Sequence, residues 1–339
     1  MPVIDPLPAP IQPSVSILIA ARNEETTILA CLEAIARLQF PAEELEVLIG
    51  NDQSTDRTRA VVADYIADKP SFRLIDISAV WLDLPGKANV LAQLNTLARG
   101  EYRFFTDADT VVAPDWIAVM QTYMTESTGI VTGITLPEGP RLFHKLQTID
   151  WLYNLTLVHL ASEVGWPVTA MGNNMAVRRE AYDAVGGYEA LPVSVVEDYT
   201  LFRAIVSKGF GFRNVLNEQL LARTKPVDTA KQFFQQRKRW MRGAMDLPIW
   251  MRVLLFGQYL TLPILVAVGY LLPTLASSLY VIVVFFQALT ISFGLSRIRQ
   301  TKLWPYALLF GIYQLMIGPA SVLYYFLTPR IEWKGRSYT

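Results

Sequence analysis

Along the N-terminal part of the chain, short runs dense in β-branched and aromatic residues alternate with longer amphipathic stretches. Val15–Ala20 (VSILIA), Glu46–Gly50 (EVLIG), Phe72–Ile77 (FRLIDI), Tyr102–Thr106 (YRFFT) and Ile130–Ile134 read as strands. The intervening stretches 24–38, 54–67, 87–98 and 114–126 read as helices. In the first of these Ile28, Leu32, Ile35 and Leu38 share one helical stripe, and Gly100 follows the third at a C-cap position. Such alternation requires crossover connections, so the expected fold class is α/β with a mostly parallel sheet. Ligands of these sheets bind beyond the carboxyl ends of the strands, at a topological switch.

After Arg252 the pattern changes. Residues 253–296 form a run of 44 without Asp, Glu, Lys or Arg, and 303–329 a second of 27. A hydrocarbon core of ~30 Å needs about 20 apolar helical residues. The first run therefore suits a two-helix hairpin broken near Pro273, and the second one tilted span. The loop Arg297–Lys302 and the tail with Arg330, Lys334 and Arg336 are both basic, although a single span between them would put them on opposite sides. Either the tail departs from the positive-inside preference or 303–329 is re-entrant, broken at Gly318-Pro319.

Charge follows the same division. Residues 1–252 carry 24 basic and 29 acidic side chains, whereas 253–339 carry six basic and one acidic, so the overall balance of 30 against 30 averages two unlike pieces. The proline-rich start, MPVIDPLPAPIQP, has no basic-plus-apolar run and reads as an extended lead-in, neither a signal peptide nor a span. The expected organisation is a lead-in at 1–13, a catalytic domain at 14–230, an interfacial helix region at 231–252, a transmembrane region of two or three spans at 253–329 and a basic tail at 330–339. The soluble part should face the cytoplasm, in a bacterial inner membrane. No nucleic-acid partner is expected.

One cysteine, Cys31, excludes an intramolecular disulfide. Two histidines, His144 and His159, without a Cys/His cluster argue against a zinc site, so a metal would be held by oxygen.

Polar residues collect where the strands end: Ala21-Arg22-Asn23-Glu24-Glu25, then Asn51-Asp52-Gln53-Ser54-Thr55-Asp56, then Asp107-Ala108-Asp109. Ser54 and Asp56 are explained in part by starting the next helix. Capping does not explain Asp107 and Asp109. Two carboxylates spaced i, i+2 at a strand end suit one hard cation, Mg²⁺ or Mn²⁺, which needs only one or two protein carboxylates beside water and phosphate oxygens. Asp52 at the neighbouring strand end suits a base or ribose hydroxyl.

Farther on, 197–208 looks helical and opens with Glu197-Asp198. A carboxylate there commonly serves the helix dipole, a reading that competes with catalysis for Glu197; Asp198 is the stronger candidate for a general base. The stretch 231–242 holds five positive charges and no negative one. As a helix it puts Gln236, Arg239 and Trp240 on one face, a guanidinium for phosphate and an indole to cover a sugar or acceptor. A juxtamembrane basic helix on anionic lipid is the competing reading for some of these residues. Trp151, Tyr153, Leu155 and Leu157 lie in the apolar stretch 142–161, which suits either a lipid entrance or a core helix.

VSILIAARNEE, IGNDQSTDRT, GKANVL, TDADT, GNNMAVRR, VEDYTLF and QQRKRW, in that order and followed by apolar helices, resemble the membrane-attached family 2 glycosyltransferases of the nucleotide-sugar GT-A fold. The resemblance implies that Ala21, Arg22, Asn23 and Glu24 border the nucleotide, that Asp52 contacts uridine, and that Lys87 meets the diphosphate. It makes Asp109 the principal metal ligand, with Asp107 facing the sugar-nucleotide. Gly172, Asn173 and Asn174 fall in the acceptor pocket, Asp198 is the base, and Gln236, Arg239 and Trp240 form the QxxRW motif. Asn51-Asp52 stands where many relatives have two acids, so no role is carried over to Asn51. The implied reaction is single displacement with inversion, moving a sugar from a UDP-sugar to form a β-linkage.

Two or three spans are too few to enclose a polymer channel, which favours a single transfer to a membrane lipid over an oligomeric β-glycan synthase. The presence of Asp52, Asp109, Asp198 and Arg239 together argues against a non-catalytic nucleotide-sugar binder.

Overall fold

The computed structural model describes residues 13–81, 84, 86–194, 196–328, 331–333 and 336–338. Most of the lead-in thus lies outside the described residues. In chain order the elements are β1 (Val15–Ala21), α1 (Ile28–Ala36), β2 (Leu45–Asn51), α2 (Thr58–Ile66), β3 (Phe72–Asp76), α3 (Gly86–Leu97), β4 (Tyr102–Asp107), β5 (Thr110–Val111), α4 (Trp116–Thr122) and β6 (Thr128–Thr132). There follow β7 (Ile134–Pro137), α5 (Leu142–Glu163), β8 (Asn174–Arg178), α6 (Arg179–Ala184), α7 (Glu197–Ser207), β9 (Gly211–Asn214), β10 (Leu221–Thr224) and α8 (Ala230–Ala244). The apolar region holds α9 (Ile249–Tyr259), α10 (Thr261–Leu271), α11 (Pro273–Arg297), α12 (Trp304–Ala307) and α13 (Phe310–Leu327), before the short strands β11 (Ile331–Trp333) and β12 (Arg336–Tyr338).

The chain divides into two compact units. The first comprises 1–132, 172–193 and 201–212, the second 133–171, 194–200 and 213–339.

The first unit carries a seven-stranded sheet in the order β3-β2-β1-β4-β8-β6-β9. Strands β1, β2, β3 and β4 are mutually parallel, while β8 runs antiparallel to both β4 and β6. Ile17, Leu18 and Ile19 of β1 and Val47, Leu48 and Ile49 of β2 are fully buried. Strands covered on both faces read as continuous apolar runs, which is why these two were legible. The chain leaves β1 for β2 on one side and later returns to its other side as β4, so the switch in strand order lies between β1 and β4. In register Ala21 faces Asn51, Asn51 faces Asp76, and Ala20 faces Asp107, so four carboxyl ends come level at this switch.

The expected strand Ile130–Ile134 is instead two, β6 and β7, separated at Gly133. In the second unit β7 pairs in parallel with β10. The long helix α5 packs there against α11, α12 and α13, around buried Trp151, Leu152, Ile291, Leu295 and Phe310.

Helices α11 and α13 are each long and apolar enough to cross a membrane. Helices α9 and α10 qualify only as a pair, bent by 72° at their junction. Pro273 begins α11, as the break expected there requires. The expected break at Gly318-Pro319 does not occur, since α13 runs through Pro319. Gly318 instead lets α13 approach the backbone of Tyr259 at the end of α9, where a β-carbon would lie 3.1 Å from the Tyr259 carbonyl carbon.

Candidate active site

In the first unit the loops after β1 and β2 are built alike. Each turns through a left-handed residue two positions beyond its strand, Asn23 at φ 53° and Gln53 at φ 52°. The two loops are then knit together. Asn23 N–H donates to Ser54 Oγ at 3.1 Å, and Thr55 N–H donates to Asn23 Oδ1 at 2.8 Å. Glu24 N–H donates to Thr58 Oγ1 at 2.7 Å, Glu25 N–H to Asp56 Oδ2 at 3.1 Å, and Arg57 N–H to Glu25 Oε2 at 2.9 Å. Residues 24–27 form a turn ahead of α1, in which Thr27 and Ile28 N–H both donate to the Glu24 carbonyl, at 3.0 and 2.9 Å, and α1 begins at Ile28 and not at the expected Glu24.

Arg22 closes the same joint. Its Nη1 donates to the Asp52 carbonyl at 2.8 Å and lies 3.7 Å from Asp52 Oδ1, while Asp52 N–H donates to the carbonyl of buried Ala21 at 2.8 Å. Asp52 is 5% exposed. Behind it Asn51 Nδ2 donates to Asp76 Oδ1 at 2.9 Å, and Arg59 grips both Asp76 oxygens. Hydrogen bonds from Arg59, then Asn51, hold the Asp76 carboxyl below its ordinary range.

The acidic pair sits on the other side of β1. Asp107 ends β4, and its Oδ1 is 2.6 Å from Nζ of Lys87 in the first turn of α3. Asp109 Oδ1 accepts from Thr110 Oγ1 at 3.4 Å. Beneath them Cys31 is fully buried, its Sγ 3.5 Å from the Asp107 carbonyl. Burial first, then the negative charges of Asp109, Asp107 and Glu24, push its thiol far up.

Gly172-Asn173-Asn174 leads into β8 beside β4. Thr106 Oγ1 donates to the Asn173 carbonyl at 3.1 Å. Asn174 is fully buried and its Oδ1 accepts from the Trp116 indole at 2.8 Å. Its side chain thus fixes α4 to the sheet, a structural task that the sequence alone does not distinguish from acceptor lining.

In the second unit, Glu197 and Asp198 open α7, and Tyr199 N–H donates to Asp198 Oδ1 at 2.8 Å. Helix α8 begins with a capping box of Thr229 and Gln232 and presents Gln236, Arg239 and Trp240 half-buried, as their spacing predicts. Trp240 packs edge-on against Trp151, ring centroids 4.9 Å apart. This settles one face of the 142–161 stretch as core, since Trp151 and Tyr153 are both buried.

Two residues inside the same basic run do something unforeseen. Arg237 is 2% exposed and pairs with Asp150 of α5, stacks over Phe233 and Trp240 at 4.9 and 5.1 Å, and donates to Tyr259 Oη at 3.2 Å. Lys238 is buried and donates to the carbonyl and, at 2.9 Å, the hydroxyl oxygen of Thr328 at the end of α13. The signal was present: Arg237 follows Phe233 and precedes Met241 at i±4 on an apolar stripe, and Asp150 is the one acid in the interior of α5, whose other acid, Glu163, ends it. Of the lipid-facing reading for this run, Arg237 and Lys238 are therefore excepted.

His144 and His159 both lie on α5 but engage separately, His144 with Asp228 at 3.1 Å and His159 with the Asn214 carbonyl at 2.8 Å. Among the described residues no three His, Cys, Asp or Glu side chains converge as a metal cage.

The model of a family described as glycosyl transferase family 21 matches residues 4–339. The chain belongs to this family. The expectation of a glycosyltransferase holds, under family number 21 where the motifs suggested 2. Beta-monoglucosyldiacylglycerol synthase of Nostoc sp. is 29% identical over 237 residues, covering 68% of this chain and 49% of that protein. Poly-beta-1,6-N-acetyl-D-glucosamine synthase of Staphylococcus epidermidis is 24% identical over 237 residues, covering 69% and 55%. The chain thus spans about half the length of these curated relatives. Among solved structures, a mannosyltransferase from Pyrobaculum calidifontis in complex with GDP-Man and Mn²⁺ superposes with a TM-score of 0.61 at 19% identity, over 93% of this chain and 88% of that one. The fold of this family 21 member is GT-A.

Proposed function

We propose that the protein is an inverting glycosyltransferase that moves one sugar from a UDP-sugar to a membrane lipid at the cytoplasmic face, forming a β-linkage. The observation that carries this reading is the rim of β1, β2 and β4, where Asp52, Lys87, Asp107 and Asp109 stand at a topological switch. The glucosyldiacylglycerol synthase relatives and the apolar helices favour a lipid acceptor over a soluble one.

In this reading Asp52, with Ala21, Arg22, Asn23 and Glu24, holds the nucleoside. The rigid cross-bracing of the two loops means that little ordering is left for the donor to induce. Lys87 meets the diphosphate, its ammonium already drawn to the rim by Asp107. Asp109 and Asp107 offer hard carboxylate oxygens two residues apart at the end of β4, a donor set that fits a divalent cation held by one or two carboxylates and the donor's own oxygens. Mg²⁺ or Mn²⁺ bound there would offset charge on the departing diphosphate. Asp198 accepts the proton of the attacking hydroxyl, with Glu197 supporting its field, and Arg239 and Gln236 steady the leaving group while Trp240 covers the acceptor. Gly172 and Asn173 line the acceptor side; Asn174 acts by holding the strand beneath them.

The test is incubation of the purified protein with UDP-glucose, UDP-galactose, UDP-N-acetylglucosamine or GDP-mannose and a total lipid extract, read by mass. One added hexose in the organic phase, from a UDP donor, supports the proposal. A ladder of products would indicate a β-glycan synthase, and a preference for GDP-mannose would remove the uridine assignment. Donor binding without any product would leave a nucleotide-sugar binder.

A further inference from the structure

The second unit decides a question that hydropathy leaves open, namely which way its apolar segments run through the lipid. Helix α13 is held to polar elements at both of its ends. At its C-terminal end Thr328 receives the Lys238 ammonium of α8, and Tyr324 Oη accepts from Gln235 Nε2 at 3.0 Å. Ahead of its N-terminal end the loop after α11 is tied by Arg299, whose Nε lies 3.2 Å from Glu218 Oε2 just before β10. Glu218 and Lys238 belong to one stretch, 218–238, which includes Arg223, Lys225, Asp228, Lys231 and Arg237 and has no apolar run that could cross a bilayer. The two anchors of α13 therefore lie on the same side.

The hairpin of α10 and α11 obeys the same constraint. It leaves from α9, which follows α8, and returns to the Arg299 anchor. Helix α10 has 11 residues, about 16 Å at 1.5 Å per residue, against a hydrocarbon core of ~30 Å. One face of the last turns of α11 is taken up by protein, because Ile291 and Leu295 are fully buried and Gly294 abuts Leu152 and Thr156 of α5, while Phe293 on the other face is 39% exposed. What projects is the tip, with Tyr270 89%, Leu271 75% and Leu272 55% exposed, and the outer faces bearing Leu275, Val281, Phe285 and Leu289. No charge occurs between Val253 and Ser296.

We propose that this region is a one-sided anchor: the α10–α11 hairpin enters the near leaflet and returns, α13 lies along α8 and α9 without crossing, and β11 lies beside α8. The occupant of the exposed faces is the acyl layer of that leaflet, with Arg297, Arg299 and Lys302 at its headgroups. The arrangement removes the conflict of two basic segments flanking one span, because both then share a face.

The test uses the full-length protein in right-side-out and inverted membrane vesicles with a membrane-impermeant maleimide. Wild type is the blank, since Cys31 is fully buried. Lys231→Cys reports the side of α8, Lys302→Cys the loop after α11, a cysteine appended after Thr339 the C-terminus, and Tyr270→Cys the tip. Labelling of the first three in the same vesicle orientation, with Tyr270→Cys silent in both until detergent is added, is the expected result. Labelling of Lys302→Cys and the C-terminal cysteine in opposite orientations would show that α13 crosses. Labelling of Tyr270→Cys opposite to Lys231→Cys would show a hairpin that spans twice, and its labelling on the same side would show a tip outside the lipid; each overturns the proposal. Thr301→Cys and Ser277→Cys repeat the loop and hairpin positions on exposed residues should either first variant fail to accumulate.

Discussion

Gly243 of α8 faces Val196, the residue before Glu197, so closely that a β-carbon on the glycine would lie 2.8 Å from Val196 Cγ2. The helix that carries Arg239 and Trp240 thereby meets the residue just before α7, whose first turn carries Asp198. Gly243→Ala gains up to about 1 kcal/mol of helix propensity, offset by an overpacking cost of about 1–3 kcal/mol. Thermal stability should change little. Transfer should fall by about tenfold or more, because displacing a base by a fraction of an ångström costs rate before it costs folding. Measuring kcat together with the melting temperature separates the two; a normal kcat would remove Gly243 from any positioning role.

Asp198→Asn should leave donor affinity intact and lower kcat by about 10²–10⁴-fold, the usual range for loss of a general base. Equilibrium binding of UDP alongside single-turnover transfer reads both quantities. Retained transfer would exclude Asp198 as the base.

Asp109→Ala should abolish the dependence of UDP binding on Mn²⁺, and chelation of wild type should produce the same weakened affinity. Calorimetry with and without Mn²⁺ distinguishes this from a general loss of fold, which would also abolish metal-independent binding. Unchanged affinity in the variant would contradict the metal assignment.

Asp150→Asn leaves the Arg237 guanidinium buried without its counter-charge, and breaking such a pair costs about 3–5 kcal/mol. The double variant Asp150→Leu/Arg237→Met should recover most of that loss, since apolar replacement of both partners is close to neutral. Denaturation in detergent of wild type, Asp150→Leu, Arg237→Met and the double variant gives the coupling directly. Equal losses in the single and double variants would mean the pair is not a unit.

Acid should reveal the Asp76 carboxyl. Its folded pKa is held below the unfolded value of about 3.9 by Arg59 and Asn51, so its stabilisation is complete above that value and is lost as pH falls through the lowered one. Asp76→Asn should therefore flatten stability against pH in that acid window and leave the slope near neutrality unchanged. The site is partly exposed, so the effect is small and shrinks with salt.

Much of this architecture is local and therefore legible. The strands β1 and β2 announced themselves through the apolar runs 17–21 and 47–49, which burial on both faces favours, and Asp107 and Asp109 stood out because no helix needed capping there. The boundaries of α1 were less legible. Glu24 and Glu25 have helical character in the chain, but they sit in a turn closed on the Glu24 carbonyl, and their N–H groups bond Thr58 and Asp56 far along the chain.

What the sequence determined by itself is the class of fold, the collection of carboxylates at strand ends and the existence of an apolar region, since each follows from periodicity or charge within a few turns of chain. Only the tertiary structure decided how the basic run 231–242 is shared out. Arg237 and Lys238 turn inward because Asp150 and the Thr328 carbonyl await them, while Gln236 and Arg239 remain half-exposed. Those partners lie some ninety residues away along the chain, and helical spacing records which residues share a face but not what that face will meet.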